Sequence, residues 1–245
     1  MQKASKGRII IAAAAAKLTP SQKRFVAEIV GTFIVVVLAT GSVVIDAKFF
    51  GGRLGLPFIA FAPFVGVAVG VYLFSKISMA HFNPAVTVGF LITRHITTKF
   101  QLLYYLGAEI IGALLASLFV RAVIGTDANL GANAPNYSYP LPLVFGIEVL
   151  ASALLMAVIF VVVYTKGLRG FSGIAIGGMV GLDIFFLAFI SGASMNPARF
   201  LAPALLSGMH TNLWLYWTAT FVGTSIVAFA FRKKFVDKMI EDGRK

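Results

Sequence analysis

The sequence predicts an all-α membrane protein of six transmembrane helices and two re-entrant half-helices, arranged as an inverted repeat. Three observations predict it. Hydrophobic residues make up 59% of the 245-residue chain and charged residues 12%, about half the charge that covers a soluble domain. Mean hydropathy is +0.90, and the apolar residues gather in six long runs. Between those runs lie two shorter segments that are near-copies of each other, each containing Asn-Pro-Ala.

The six runs are 25–45, 56–74, 100–120, 141–164, 171–190 and 213–231. Each has about 19 mainly apolar residues or more, enough to cross a hydrocarbon core ~30 Å thick at 1.5 Å per residue. The short apolar stretch 9–16 is flanked by basic residues. It is too short to span and reads as an interfacial helix.

The formal net charge is +12. In a soluble protein it would suggest nucleic acid, but the positions of the charges exclude that reading. Lys3, Lys6, Arg8, Lys17, Lys23 and Arg24 precede the first run, and Arg232, Lys233, Lys234, Lys238, Arg244 and Lys245 follow the last. Basic residues collect on the cytoplasmic side of membrane helices. Both termini are therefore expected in the cytoplasm, which an even number of crossings allows, with anionic lipid as the partner of the tails. Inner connections then carry Lys76, Arg94, Lys99, Lys166 and Arg169 against Lys48, Arg53 and Arg121 outside. The expected organisation is a basic segment 1–24, one channel domain 25–232 with repeats at about 25–121 and 141–232, and a basic tail 233–245. No cysteine is present, so disulfides and thiolate metal sites are excluded.

Two segments, 81–92 and 194–206, are too short to cross. In each, Asn precedes Pro-Ala, which suits a helix N-cap followed by proline in the first turn. Ser78–Ala85 aligns with Ser191–Ala198 at an offset of 113 residues, Glu28 with Glu148 at 120, and Ala108-x-x-x-Gly112 with Ala219-x-x-x-Gly223 at 111. The chain is thus a duplicated unit of three spans and a half-helix. Three is odd, so the second copy enters the membrane upside down, and the half-helices meet near the midplane. Each N-terminus presents unpaired N–H groups and a partial positive charge. The Asn83 and Asn196 amides add donors that orient a water oxygen and interrupt a proton wire. This describes a pore for neutral molecules with a barrier to cations.

In these motifs the chain resembles the aquaporin (major intrinsic protein) family. Ala80-His81-Phe82-Asn83-Pro84-Ala85-Val86-Thr87 and Ser191-Gly192-Ala193-Ser194-Met195-Asn196-Pro197-Ala198-Arg199 look like its two pore loops, and Ala27-Glu28-Ile29-Val30-Gly31-Thr32-Phe33 looks like its first span. The resemblance implies a passive water channel in the plasma membrane, a homotetramer, no enzyme activity and no cofactor. It also implies that Glu28 and Glu148 support the loops. His81 is read as loop support or vestibule lining, since no second histidine or carboxylate lies at metal-ligand spacing. His95 and His210 read as ordinary loop residues.

The family builds its selectivity filter from a residue 20 before the first motif Asn, residues 12 and 3 before the second, and the following arginine; here these are Pro63, Ile184, Ala193 and Arg199. Ile184 stands where strict water channels carry histidine, and it resembles archaeal aquaporins. Pro63 stands where an aromatic is common, which leaves Phe64 or Phe61 as an alternative wall through a kink in span two. Met79 replaces a usual glycine, and Glu109 stands where glutamine is frequent. Asp183, an intramembrane carboxylate beside Ile184, needs a partner, and Arg199 is the candidate. The alternatives are a pore mainly for glycerol, ammonia or another small uncharged solute and, more remotely, a secondary transporter, which would need coupling-ion ligands.

Overall fold

The computed structural model describes residues 18–165 and 167–233. The stretch 9–16, Lys166 and the basic tail from Lys234 onward lie outside them. The helices in chain order are α1 (Pro20–Phe50), α2 (Gly55–Ser78), α3 (Pro84–Ile92), α4 (Lys99–Val123), α5 (Leu141–Tyr164), α6 (Ser172–Ser191), α7 (Pro197–Ser207) and α8 (Leu213–Phe231). One short helical turn, Asp127–Leu130, precedes α5, and a single 3-10 turn, Arg169–Phe171, leads into α6. Among the described residues, six helices are long and apolar enough to cross a membrane; α3 and α7 are too short.

Local chemistry sets the ends. α1 begins at Pro20 rather than at the apolar run, because Thr19 and Gln22 form a reciprocal capping box: Gln22 N–H donates to Thr19 Oγ1 (3.3 Å) and Thr19 N–H to Gln22 Oε1 (2.9 Å). Residues 20–24, assigned to the basic N-terminal segment by charge alone, are therefore the first turn of a membrane helix. At the other end, Asp46 caps the next helix. Its carboxylate accepts N–H bonds from Leu54 (2.9 Å) and Gly55 (3.0 Å), two donors that would otherwise be orphaned at the start of α2.

The duplication is visible in the packing. α1 packs on α2 and α4, and α5 packs on α6 and α8, while α2 and α6 meet across the repeats. Each half-helix lies against the third helix of the other repeat, α3 on α8 and α7 on α4. Close crossings fall at glycines. A side chain at Gly112 would collide with the Ile29 carbonyl of α1, and one at Gly223 with the Val149 carbonyl of α5. Gly173 and Gly177 of α6 likewise lie against the backbone of α2 at Ala68 and Phe64. These small residues are thus taken up by close helix contacts inside the chain.

Candidate functional site

The two half-helices begin at Asn83 and Asn196. Both residues have extended backbone (φ −158° and −144°), and each side chain caps its helix: Asn83 Oδ1 accepts from Ala85 N–H (2.9 Å), and Asn196 Oδ1 accepts from Ala198 (3.0 Å) and Arg199 (3.2 Å). The amide nitrogens brace the two caps to each other. Asn83 Nδ2 donates to the Met195 carbonyl (2.8 Å), and Asn196 Nδ2 donates to the Phe82 carbonyl (2.8 Å). Each amide keeps a second N–H, so two helix N-termini and two spare donors converge at one level.

The loops leading to these caps have unusual backbone, repeated with the same spacing. Met79 (φ 70°), Ala80 (56°) and Phe82 (52°) are left-handed, and so are Gly192 (85°), Ala193 (46°) and Met195 (53°). Such conformations are costly for residues with a Cβ and persist only where the surroundings impose them. Buried carboxylates impose them here. Glu28 accepts from His81 N–H (3.1 Å) and Phe82 N–H (2.7 Å). Glu148 accepts from Ser194 N–H (2.9 and 3.1 Å to its two oxygens) and Met195 N–H (3.2 Å). In a trans peptide the N–H and C=O point opposite ways. Binding these N–H groups from behind therefore turns the carbonyls of Ala80, His81, Ala193 and Ser194 toward the cavity that those residues line. Tyr105 and Tyr216 complete the pair of cradles, each hydroxyl donating to the carbonyl of a serine at the loop entrance, Ser78 and Ser191.

A narrow cavity of about 70 Å³ runs past both asparagines, and a wider one of about 350 Å³ opens beyond it. Ala39, Ile184 and Arg199 border both; they mark the neck between pore and vestibule. Pro63 and Ala193 line the narrow cavity just inside. Phe64 does not border it: its ring lies against Gly177 and Gly181 of α6. Phe61 is exposed on the outside of the bundle. Between the aromatic alternatives and proline, the lining residue of α2 is thus Pro63, and α2 runs through it as one helix. Proline has no N–H, so the carbonyl of Ile59 one turn earlier loses its helical donor.

Arg199 is buried, and its Nη1 donates to Asn133 Oδ1. Asn133 Nδ2 in turn donates to the Gly192 carbonyl (2.6 Å). The expected pairing of Arg199 with Asp183 is absent. Asp183 is buried on α6 with its Oδ2 unpartnered. The carboxylate that precedes Ile184 in the chain is therefore not the group that holds the arginine. Sequence reasoning missed Asn133 and Ala39. Neither belongs to a repeated motif; Asn133 lies in the connection between the repeats.

His81 lines the narrow cavity on the side of α3. Its ring stacks on Phe90 (centroids 4.6 Å apart, planes 7°) and lies against Tyr105 (4.6 Å), and its Nδ1 is 2.9 Å from Thr87 Oγ1. His95, after α3, is within hydrogen-bond distance of the Tyr164 hydroxyl (2.8 Å) and Thr93 Oγ1 (3.2 Å). Half-burial pushes its imidazole below the ordinary histidine pKa.

Comparison with known proteins gives the same picture. The family described as "Major intrinsic protein" matches residues 15–231. The probable aquaporin NIP4-2 of Arabidopsis thaliana is 36% identical over 223 residues, 90% of this chain and 77% of that one. Nodulin-26 of Glycine max is 32% identical over 229 residues, covering 92% and 83%. Among solved structures, the aquaglyceroporin from Plasmodium falciparum superposes with a TM-score of 0.75 at 22% identity, over 90% of this chain and 99% of that one.

Proposed function

The chain belongs to the major intrinsic protein family, whose members are channels rather than enzymes, and from that premise we propose that it is a passive water channel that excludes ions and protons and leaks small neutral solutes. The observation that carries this reading is the mutual bracing of Asn83 and Asn196. It fixes two helix N-termini and two amide donors side by side at one level of the pore. Partial positive charge from both ends disfavours any cation there, and fixed donors hold a water's oxygen so that it cannot relay a proton along the file. Arg199 at the neck adds a full positive charge.

A pore mainly for glycerol, ammonia or a similar solute is the second reading. The apolar side chains of Ala39 and Ile184 at the neck favour it. The proposed setting is the plasma membrane with both termini cytoplasmic, as the basic residues flanking the spans suggest, and the proposed assembly is a homotetramer. Stopped-flow light scattering on proteoliposomes separates the readings. Fast water efflux with slower glycerol entry supports the first; glycerol or ammonia passage without a rise in water permeability supports the second. A proton current under an imposed pH gradient would overturn both.

A further inference from the structure

The two halves of the pore share a scaffold but not its polar content. Behind the first loop, Thr87 Oγ1 stands 2.9 Å from His81 Nδ1 and 2.6 Å from Glu109 Oε1, all three residues buried. The repeat supplies an internal control. The positions corresponding to His81 and Thr87, 113 residues on, are Ser194 and Phe200, and that corresponding to Glu109, 111 residues on, is Thr220. Phe200 stacks on Tyr216 (4.4 Å), and the Thr220 hydroxyl donates to the Tyr216 carbonyl of its own helix. The second half therefore holds its loop with no polar chain at this place. The chain in the first half is not a requirement of the scaffold.

We propose that Glu109 is a positioning residue for permeation: acting through Thr87, it decides which nitrogen of His81 carries the proton, and so whether His81 offers the pore an acceptor or a donor. The Thr87 hydroxyl has a single hydrogen to donate. When Glu109 is ionised it can only accept, so Thr87 donates to it and must accept from His81 Nδ1–H. His81 Nε2 is then a bare acceptor. When Glu109 is protonated, the proton is favoured on Oε1, because Oε2 is buried with no partner to receive a bond. Glu109 then donates to Thr87, Thr87 donates to Nδ1, and the ring proton moves to Nε2. Nε2 itself is buried without a protein partner in a side chain that lines the pore, so it is the nitrogen left for a passing molecule. Phe90 and Tyr105 clamp the ring; the tautomer is free to change where the rotamer is not. The other titratable groups facing the cluster are Glu28 and Arg24 from α1, Tyr105 from α4, and His95 after α3 with Tyr164 from α5 beside it. Glu28 is already engaged by two backbone N–H groups.

This inference rests on the pore reading above, and its test separates the two. Full-length protein labelled with ¹⁵N-histidine is reconstituted in proteoliposomes and followed across pH by solid-state NMR and stopped-flow water permeability. His81 resonances are identified in a chain carrying His95→Gln and His210→Gln. In wild type the His81 proton is expected on Nδ1 at the alkaline end and on Nε2 at the acid end. Water permeability should change with it by about threefold, the worth of one modest hydrogen bond along the path. Glu109→Gln, nearly isosteric, holds the chain at one charge, and Thr87→Val cuts the link; in both, tautomer and permeability should stop responding together. A His81 tautomer that ignores pH in wild type, or one that switches while permeability stays constant, would overturn the proposal. A chain that conducts neither water nor solute would instead overturn the pore reading, and the ¹⁵N shifts would still decide whether Glu109 controls His81.

Discussion

Asn133 holds Arg199: its side-chain oxygen accepts from the guanidinium while its nitrogen donates to the Gly192 carbonyl. The contact ties the connection between the repeats to the arginine at the neck. It also ties the arginine's position to the second loop, since Gly192 begins the left-handed stretch that ends at Met195. Without such a tether, a long side chain at the edge of an open vestibule would sample many rotamers.

Asn133→Ala should therefore loosen the neck more than the fold. A hydrogen bond to a charged group is worth roughly 1.5–3 kcal/mol when buried, and the adjoining vestibule should reduce that to about 1 kcal/mol. Proteoliposomes should show glycerol permeability raised several-fold with water permeability little altered, and only a small fall in melting temperature. An unchanged ratio of glycerol to water permeability would mean that Arg199 keeps its place without the tether.

Glu28→Ala and Glu148→Ala should harm stability before selectivity. Each substitution leaves two loop N–H groups buried without an acceptor, at about 1–3 kcal/mol per group. The losses also remove what holds non-glycine residues in left-handed backbone. Low yield in detergent and a clearly lower melting temperature are expected for both. Normal stability with abolished transport would point to proton transfer by these carboxylates instead.

Met79→Gly should stabilise the protein. Met79 has φ 70°, and the corresponding residue of the second repeat is Gly192 at φ 85°. Left-handed backbone costs a residue with a Cβ about 1–2 kcal/mol, part of which glycine returns through the freedom it gains in the unfolded chain. A gain near 1 kcal/mol, seen as a higher melting temperature, is the expected result; a loss would show that the Met79 side chain contributes packing at the inner mouth that outweighs the strain.

The repeat determines how much of this was readable in advance. Features present twice, such as the Asn-Pro-Ala segments and Glu28 with Glu148, identify themselves, because an inverted copy leaves little else for them to do. Ala108-x-x-x-Gly112 and its copy marked the duplication, and their glycines lie at the crossings on Ile29 and Val149. Features present once did not. Asn133 lies outside the repeats, and a lone asparagine in a connection carries no pattern. Ala39 is an ordinary small residue of a long apolar helix until the opposite wall is in place. The choice among Phe61, Pro63 and Phe64 turned on the rotation of α2, which is fixed by Gly177 and Gly181 receiving Phe64, a tertiary contact that no period within α2 encodes. Asp183 was expected beside Arg199 from adjacency to Ile184, yet neighbouring residues on a helix point about 100° apart, so Ile184 borders the neck and Asp183 does not.

Ile184→His should narrow the neck to water. Ile184 and Ala39 give it two apolar side chains, leaving Arg199 as its charged donor. A water entering this ring sheds hydrogen bonds and finds few replacements, while a solute with an apolar edge finds a compatible wall. Histidine at 184 adds a ring that can donate or accept, and it reduces the free cross-section. A hydrogen bond worth about 1 kcal/mol, which water makes in the narrowed ring and bulkier glycerol cannot enter to make, shifts the water-to-glycerol ratio by roughly fivefold, and steric exclusion adds to it. Stopped-flow measurements should show glycerol or ammonia passage reduced and water passage retained. If wild type passes water alone and Ile184→His leaves both permeabilities unchanged, the narrowest point lies elsewhere, at Pro63 and Ala193 just inside, and those residues rather than Ile184 set what the channel admits.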